Sequence, residues 1–141
     1  MSSDGKSTEK KVTSCLKKLM EDPDWWFHRF PDAAVCRGRI PKQPADYLVM
    51  YRGVPALIEV KECESFTSIP KSRLTQLAKM KRFTMAGGRG LFLISHPKHE
   101  WQWRYFTVQK VSQFEGASVK FEEIPSFNKL NAVFDELSLS W

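Results

Sequence analysis

No stretch of about 18 apolar residues occurs in this 141-residue sequence, which excludes a transmembrane helix. The N-terminus, Met1 to Lys6, is polar and lacks the apolar centre of a secretory signal. Cysteine is scarce: Cys15, Cys36 and Cys63 are odd in number, widely spaced and unlike any zinc pattern, so they read as reduced thiols in a cytoplasmic protein. His96-Pro97-Lys98-His99 has two imidazoles but a proline between them and no partnering cysteine, and it reads as a turn. Acidic residues are missing altogether between Ser65 and His99, a stretch that holds Lys71, Arg73, Lys79, Lys81, Arg82, Arg89 and Lys98. No repeat and no low-complexity segment appears.

What is present is the composition of a globular protein, 42% hydrophobic and 27% charged, with a length that suits one domain over residues 1–141 and a flexible tail over 1–6. The net charge of +6 is unevenly placed: residues 1–100 hold 18 Lys/Arg against 11 Asp/Glu, whereas 101–141 hold 4 against 5. A basic field of this kind suits a polyanion, nucleic acid being the commonest and membrane lipid the weaker alternative.

Within the basic part, Pro44 to Lys61 reads as a β-hairpin, since two runs rich in strand formers flank Arg52-Gly53. If the turn is a two-residue loop, Tyr51 pairs with Val54 and Asp46 falls opposite Glu59. Arg-Gly is not a favoured sequence for the tightest turns, and a longer loop would slip the register by one residue. Glu59 and Lys61 leave the same face of their strand, so two carboxylates and an ammonium converge. Facing carboxylates repel each other unless a cation sits between them, and an all-oxygen donor set suits Mg²⁺, with Mn²⁺ as substitute. Such a cation polarises a phosphate oxygen and activates water, and a lysine beside it offsets developing charge, which makes this a phosphodiester hydrolysis site. The bland alternative puts Ala56, Ile58 and Val60 in the core and leaves Glu59 and Lys61 on a solvated face.

Elsewhere the order of elements follows from periodicity. Ser7 caps a first helix that carries Val12, Cys15, Leu16, Leu19 and Met20 inward and ends before Pro23. Glu9 extends the inward stripe of that helix; it either complements the helix dipole or aims a third acid at the cation. Asp24 to Phe30 is an aromatic strand in which one or two rings beside Arg29 are placed to stack on bases. Arg37, Arg39 and Lys42 fall in a basic loop leading to Asp46 and favour phosphate contact. Ser65 to Pro70 is a loop, and Lys71 to Met85 a helix stopped by Gly87-Gly88, with Leu74, Leu77, Ala78 and Met80 inward. Lys71, Arg73 and Lys79 make that helix a backbone-binding surface, with Gln76 among them to donate and accept hydrogen bonds. Gly90 to Ser95 is a strand buried on both faces, completing a βαβ crossover, and Trp101 to Thr107 returns as the next strand. Ile124, Phe127, Leu130, Val133, Phe134 and Leu137 fit a final amphipathic helix.

In this order the chain resembles the PD-(D/E)XK nuclease superfamily, with Pro44-Ala45-Asp46 and Glu59-Val60-Lys61 at the two signature segments and one residue inserted between the Pro and Asp. It looks most like the small Holliday junction resolvases, archaeal and RecU type, through Glu9-Lys10-Lys11, Ile58 to Glu62, the Ser65 to Pro70 loop and Leu74-Thr75-Gln76-Leu77. The likeness runs over residues 7–107, and it departs from the RecU type at Thr75, where histidine is usual. It implies an α/β fold, a restriction-endonuclease-like mixed sheet with an antiparallel hairpin, flanked by helices. It also implies Asp46, Glu59 and the Val60 carbonyl as metal ligands, Glu9 as a further acid, Lys61 as catalytic lysine and Gln76 as an auxiliary residue. The implied partner is a four-way DNA junction, nicked symmetrically by a homodimer and recognised by shape. Small size, basic charge and a single domain fit a phage, viral or archaeal resolvase. Two other readings stay open: a nuclease for duplex, flap or ends, and a DNA-binding module without catalysis.

Overall fold

The computed structural model describes residues 3–31 and 42–141, with side chains of the first helix described from Ser7 onward. Helix α1 spans Ser3–Leu19. It starts before Ser7, so that residue lies inside the helix instead of capping it, and only Met1 and Ser2 of the expected tail precede it. Val12, Cys15 and Leu16 are buried as their spacing demands, whereas Met20, expected inward, falls just past the helix and is 41% exposed.

Three strands follow: β1 (Trp25–Arg29), β2 (Tyr47–Tyr51) and β3 (Val54–Glu62), each antiparallel to the one before. The β2–β3 turn is the two-residue loop, with Tyr51 paired to Val54 and Tyr47 to Ile58. Both turn residues take positive φ, Arg52 at 49° and Gly53 at 83°, the conformation whose twist matches that of the flanking strands. The register predicted for the hairpin is therefore the one observed. Arg52 holds the left-handed conformation at a steric cost, partly offset by its ion pair with Asp24 at 3.0 Å.

After β3 the chain forms β4 (Ser68–Pro70), a single 3₁₀ turn at Lys71–Arg73, and helix α2 (Leu77–Met85). The expected continuous helix from Lys71 is thus broken at Leu74, whose ψ of 64° is outside the helical range. As a result Ala78 is exposed, while Leu74 and Met80 are buried. Gly87, at φ 107°, ends α2 in a Schellman arrangement: the Gly88 amide donates to the Phe83 carbonyl and the Gly87 amide to Thr84.

Strand β5 (Arg89–His96) returns parallel to β3, and β6 (Gln102–Thr107) pairs antiparallel with β5. The main sheet has the order β1-β2-β3-β5-β6. Short helix α3 (Val108–Val111), strand β7 (Ser118–Lys120) and helix α4 (Leu130–Ser140) complete the chain. β7 pairs with β4 in a small second sheet, so the loop expected over Ser65 to Pro70 contains a strand. Ile124 and Phe127, expected in the last helix, precede it; Phe127 instead pairs its backbone with Trp103.

Each face of the main sheet has its own core. Leu91 and Leu93 of β5 join Ala56, Ile58, Val12, Leu16 and Phe134 beneath α1 and α4; Phe92 and Ile94 join Leu57, Met80, Ile69 and Val119 beneath α2 and the small sheet. A strand covered on both sides needs apolar residues at every position, which explains the continuous run of β5. Among the described residues, no helix is long and apolar enough to cross a membrane.

Candidate active site

On the α2 side of β3, Glu59 is the next residue after Leu57, and it is only 6% exposed. Glu59 is therefore not on a solvated face, because both faces of this strand are covered. Asp46 reaches it from the far arm of the hairpin. The Asp46 amide donates to the Ile58 carbonyl at 3.2 Å, its carbonyl accepts from Phe30 at 2.9 Å, and its carboxylate accepts from the Val60 amide at 2.7 Å. Asp46 is therefore fixed by backbone bonds to β3 and to the residue after β1, although regular pairing begins one residue later.

Burial pushes the Asp46 carboxyl up to about 7, and the charge of Glu59 beside it pushes the same way; the Val60 amide and the Lys61 ammonium oppose them. Lys61 Nζ lies 3.2 Å from Glu59 Oε2. Two carboxyls and one ammonium share a low-dielectric site, and the acid pair is undercompensated at neutral pH. That is the electrostatic state a divalent cation relieves.

A cavity of about 240 Å³ opens over this pair, lined by Asp46, Glu59, Glu9, Arg29, Phe30, Lys42 and Gln76 among others. Glu9 thus reaches the site from α1, but its Oε2 is bonded at 2.6 Å to Arg29. Among the described residues, no group of three or more Asp, Glu, His or Cys side chains is close enough to hold a metal ion together. The side-chain donors are Asp46 and Glu59, and Glu9 stands at the rim, neutralised by Arg29. The α1 anchor is specific: the Tyr47 hydroxyl donates to the Glu9 carbonyl at 3.1 Å and lies 2.7 Å from the Thr13 hydroxyl.

Gln76 occupies the cap position of α2 but makes no capping bond with its side chain, which is 8% exposed and lines the cavity. The break at Leu74 is what brings it there: a continuous helix would have carried Gln76 on its body instead of at its tip. Arg29, Phe30 and Gln43 were not singled out from the sequence as lining residues. Arg29 reads from the sequence only as the neighbour of stacking rings, and its pairing with a helix residue 20 positions earlier has no local signal.

No family model and no curated protein matches the chain. Among solved structures it is similar to Hjc of Archaeoglobus fulgidus, a Holliday junction resolvase from an archaeal hyperthermophile, with a TM-score of 0.53. The match covers 79% of this chain and 87% of that chain at 16% sequence identity. The chain has the fold of Hjc.

The α/β class and the mixed sheet with its hairpin, expected from the motif order, are those of this Hjc-like fold. On it, the basic residues singled out from the sequence separate. Lys42 is exposed at the cavity beside the carboxylates, and Lys79 Nζ donates to the Lys42 carbonyl at 3.0 Å, so Lys79 stands next to it. Lys71 turns away, its ammonium bonded to the Phe114 carbonyl. Arg73 lines a different cavity with Glu62, Glu64 and Lys98. Arg37 and Arg39 lie outside the described residues, as does Cys36; Cys15 and Cys63 are buried free thiols.

Proposed function

We propose that this chain is a divalent-metal-dependent endonuclease that hydrolyses DNA phosphodiesters, and specifically a resolvase that nicks four-way junctions symmetrically as a homodimer. The observation that carries this reading is the half-buried Asp46 carboxyl beside buried Glu59, with Lys61 3.2 Å from Glu59, on an Hjc-like fold. Asp46, Glu59 and the Val60 carbonyl offer a hard, all-oxygen set that fits Mg²⁺, or Mn²⁺ in its place. When bound, that ion supplies Lewis acidity toward phosphate and lowers the pKa of water.

The chain's own residues do the rest. Lys61 supplies a fixed positive charge against the negative charge that grows on phosphorus, in a site dry enough for it to matter. Gln76 positions the nucleophilic water or a phosphate oxygen from the tip of α2, as donor or acceptor. Lys42 and Lys79 hold the backbone of the scissile strand, and Arg37 and Arg39 are proposed to extend that contact along the DNA. Glu9, paired with Arg29, is a further acid that tunes the charge of the rim. Two-fold symmetry matches the two opposed strands of a junction, which is the reason to expect a dimer.

The test is Mg²⁺-dependent cleavage of a synthetic four-way junction beside linear duplex, single-stranded and flap DNA of matched sequence, with Asp46→Ala as control. Paired symmetric nicks in the junction alone are expected, with sedimentation velocity giving a dimer. Asp46→Ala is expected to lower the rate by about 10³-fold or more while leaving DNA binding intact or tighter, because it removes a charge that phosphate repels. Cleavage of the other substrates would keep the nuclease and discard the junction. Binding without cleavage under any divalent metal would leave a DNA-binding module.

A further inference from the structure

Helix α1 separates two surfaces. Glu9 faces the carboxylate cavity, and Lys11 lies two residues on, about 200° round the helix. Ser7, Lys11, Ser14 and Lys18 repeat at helical spacing on that opposite flank and line a groove of about 800 Å³. Its other wall comes from the turn before β6 and the start of α4, with Trp101, Lys129 and Asn131. Four lysines, Lys10, Lys11, Lys18 and Lys129, line this groove and no carboxylate does. None of the four is in an ion pair with a described residue. Lys11 Nζ sits 4.5 Å from the Trp101 ring centroid, and Trp101 is itself held at φ 54°, a conformation a bulky residue adopts only under constraint from its surroundings.

We propose that this groove grips the phosphate backbone of a second DNA arm, while the carboxylate cavity acts on the first; the inference rests on the nuclease reading above. Lys11 and Lys18 are about 10 Å apart along the helix axis, the rise of about three phosphates on one strand. Lysines with no carboxylate partner, an indole plane and an amide are the chemistry of sequence-independent backbone binding, in which released counterions drive affinity. The placement also selects the shape of the ligand. The two surfaces open on opposite flanks of one helix, and duplex DNA is stiff over about 150 bp, so a straight duplex that lies in the cavity does not bend round α1 into the groove. A branched molecule reaches both without bending.

The test compares wild type with a Lys11→Gln/Lys18→Gln/Lys129→Gln variant of the full chain. Binding to a four-way junction and to linear duplex is measured in Ca²⁺ between about 50 and 200 mM salt, with thermal melting and sedimentation as controls. The proposal expects the slope of log affinity against log salt for the junction to shrink by about 2 to 3, with affinity falling tenfold or more. Linear duplex is expected to lose no more than about threefold, and melting and oligomeric state to stay as in wild type. Unchanged junction binding overturns the groove while the nuclease reading stands, and so do equal losses on both DNAs, or a loss of self-association. Retained junction selectivity in a chain that cleaves nothing would instead sink the nuclease and leave the groove. A wild-type chain that binds no DNA ends both.

Discussion

Asp46 is a half-buried carboxyl group whose nearby ammonium, Lys61, is itself paired with Glu59. Its folded pKa of about 7 lies above the usual 3.8, so the folded state favours the protonated form. The stability this lends to the metal-free protein is complete below about pH 4 and is lost as pH rises through 7. A shift of this size has a ceiling of about 4 kcal/mol, and sharing between two carboxyls reduces what is observed. Asp46→Asn, which keeps the shape and the bond from Val60 while removing the charge, is expected to raise stability of the metal-free chain by about 1 to 3 kcal/mol at pH 8 and to change it little at pH 5. Urea denaturation at the two pH values in EDTA measures this. Equal midpoints at pH 8 would mean that the carboxyl is better solvated than its burial suggests. Adding Mg²⁺ is expected to raise the wild-type melting temperature at pH 8 and leave Asp46→Asn nearly unmoved, because a ligand stabilises only the form that binds it.

At the scale of elements, the hairpin is what makes that residue effective. Its turn sets the register, and the register puts Asp46 against Glu59; Gly53, at φ 83° with open space around a would-be Cβ, is kept for backbone conformation and not for packing. Gly53→Ala is expected to cost about 1 to 2 kcal/mol, whereas Arg52→Asn is expected to be neutral or slightly stabilising, since asparagine tolerates the left-handed region at the cost of one exposed ion pair. Thermal melting of the two variants separates these outcomes. A loss in Arg52→Asn larger than in Gly53→Ala would give the Asp24 pair more weight than an exposed contact normally has.

The hairpin was also the most legible element in the sequence, because alternation, turn and arm lengths all point to one pairing. β5 was legible for the same kind of reason, a short unbroken apolar run. Helix α2 was only half legible: its stop is written in Gly87-Gly88, but its true start depends on Leu74 being drawn into the core under β5, which no local pattern announces. That displacement separates Lys71 and Arg73 from Lys79, so a charge run that looks like one surface is two. The small sheet was not legible at all. Its strands have three residues each and lie some 50 positions apart, too short for periodicity to register and too distant for turn chemistry to join.

Across the whole molecule, one residue links the layers. Arg104 on β6 is 3% exposed, and its guanidinium has no carboxylate partner among the described residues. Its Nε donates to His96 Nε2 at 2.9 Å, Nη1 donates to the Ile124 carbonyl at 2.6 Å, and the ring faces of Phe66 and Phe121 lie 4.6 and 4.4 Å from it. Because Nε2 accepts, His96 is neutral, and its Nδ1 donates to the Cys63 carbonyl at 3.1 Å. Burial pulls the His96 pKa down to about 4, assisted by the Arg104 charge and opposed by the bond to the Cys63 carbonyl. A folded pKa below the usual 6.5 means that this stability is complete above pH 6.5 and is lost as pH falls toward 4, the opposite sense to Asp46. The main sheet, the end of β3 and the segment after β7 therefore meet at one cation whose removal strands several acceptors together. Replacing an entire buried polar cluster with apolar groups is often neutral, but Arg104→Met removes only the donor and leaves His96 and the carbonyls unpaired. It is expected to cost about 3 kcal/mol at pH 7 in urea denaturation, with amide exchange accelerating first in β4 and β7, while Arg104→Lys recovers part of the loss. A neutral Arg104→Met would mean that the aromatic packing of Phe66 and Phe121 alone joins the small sheet to the main one.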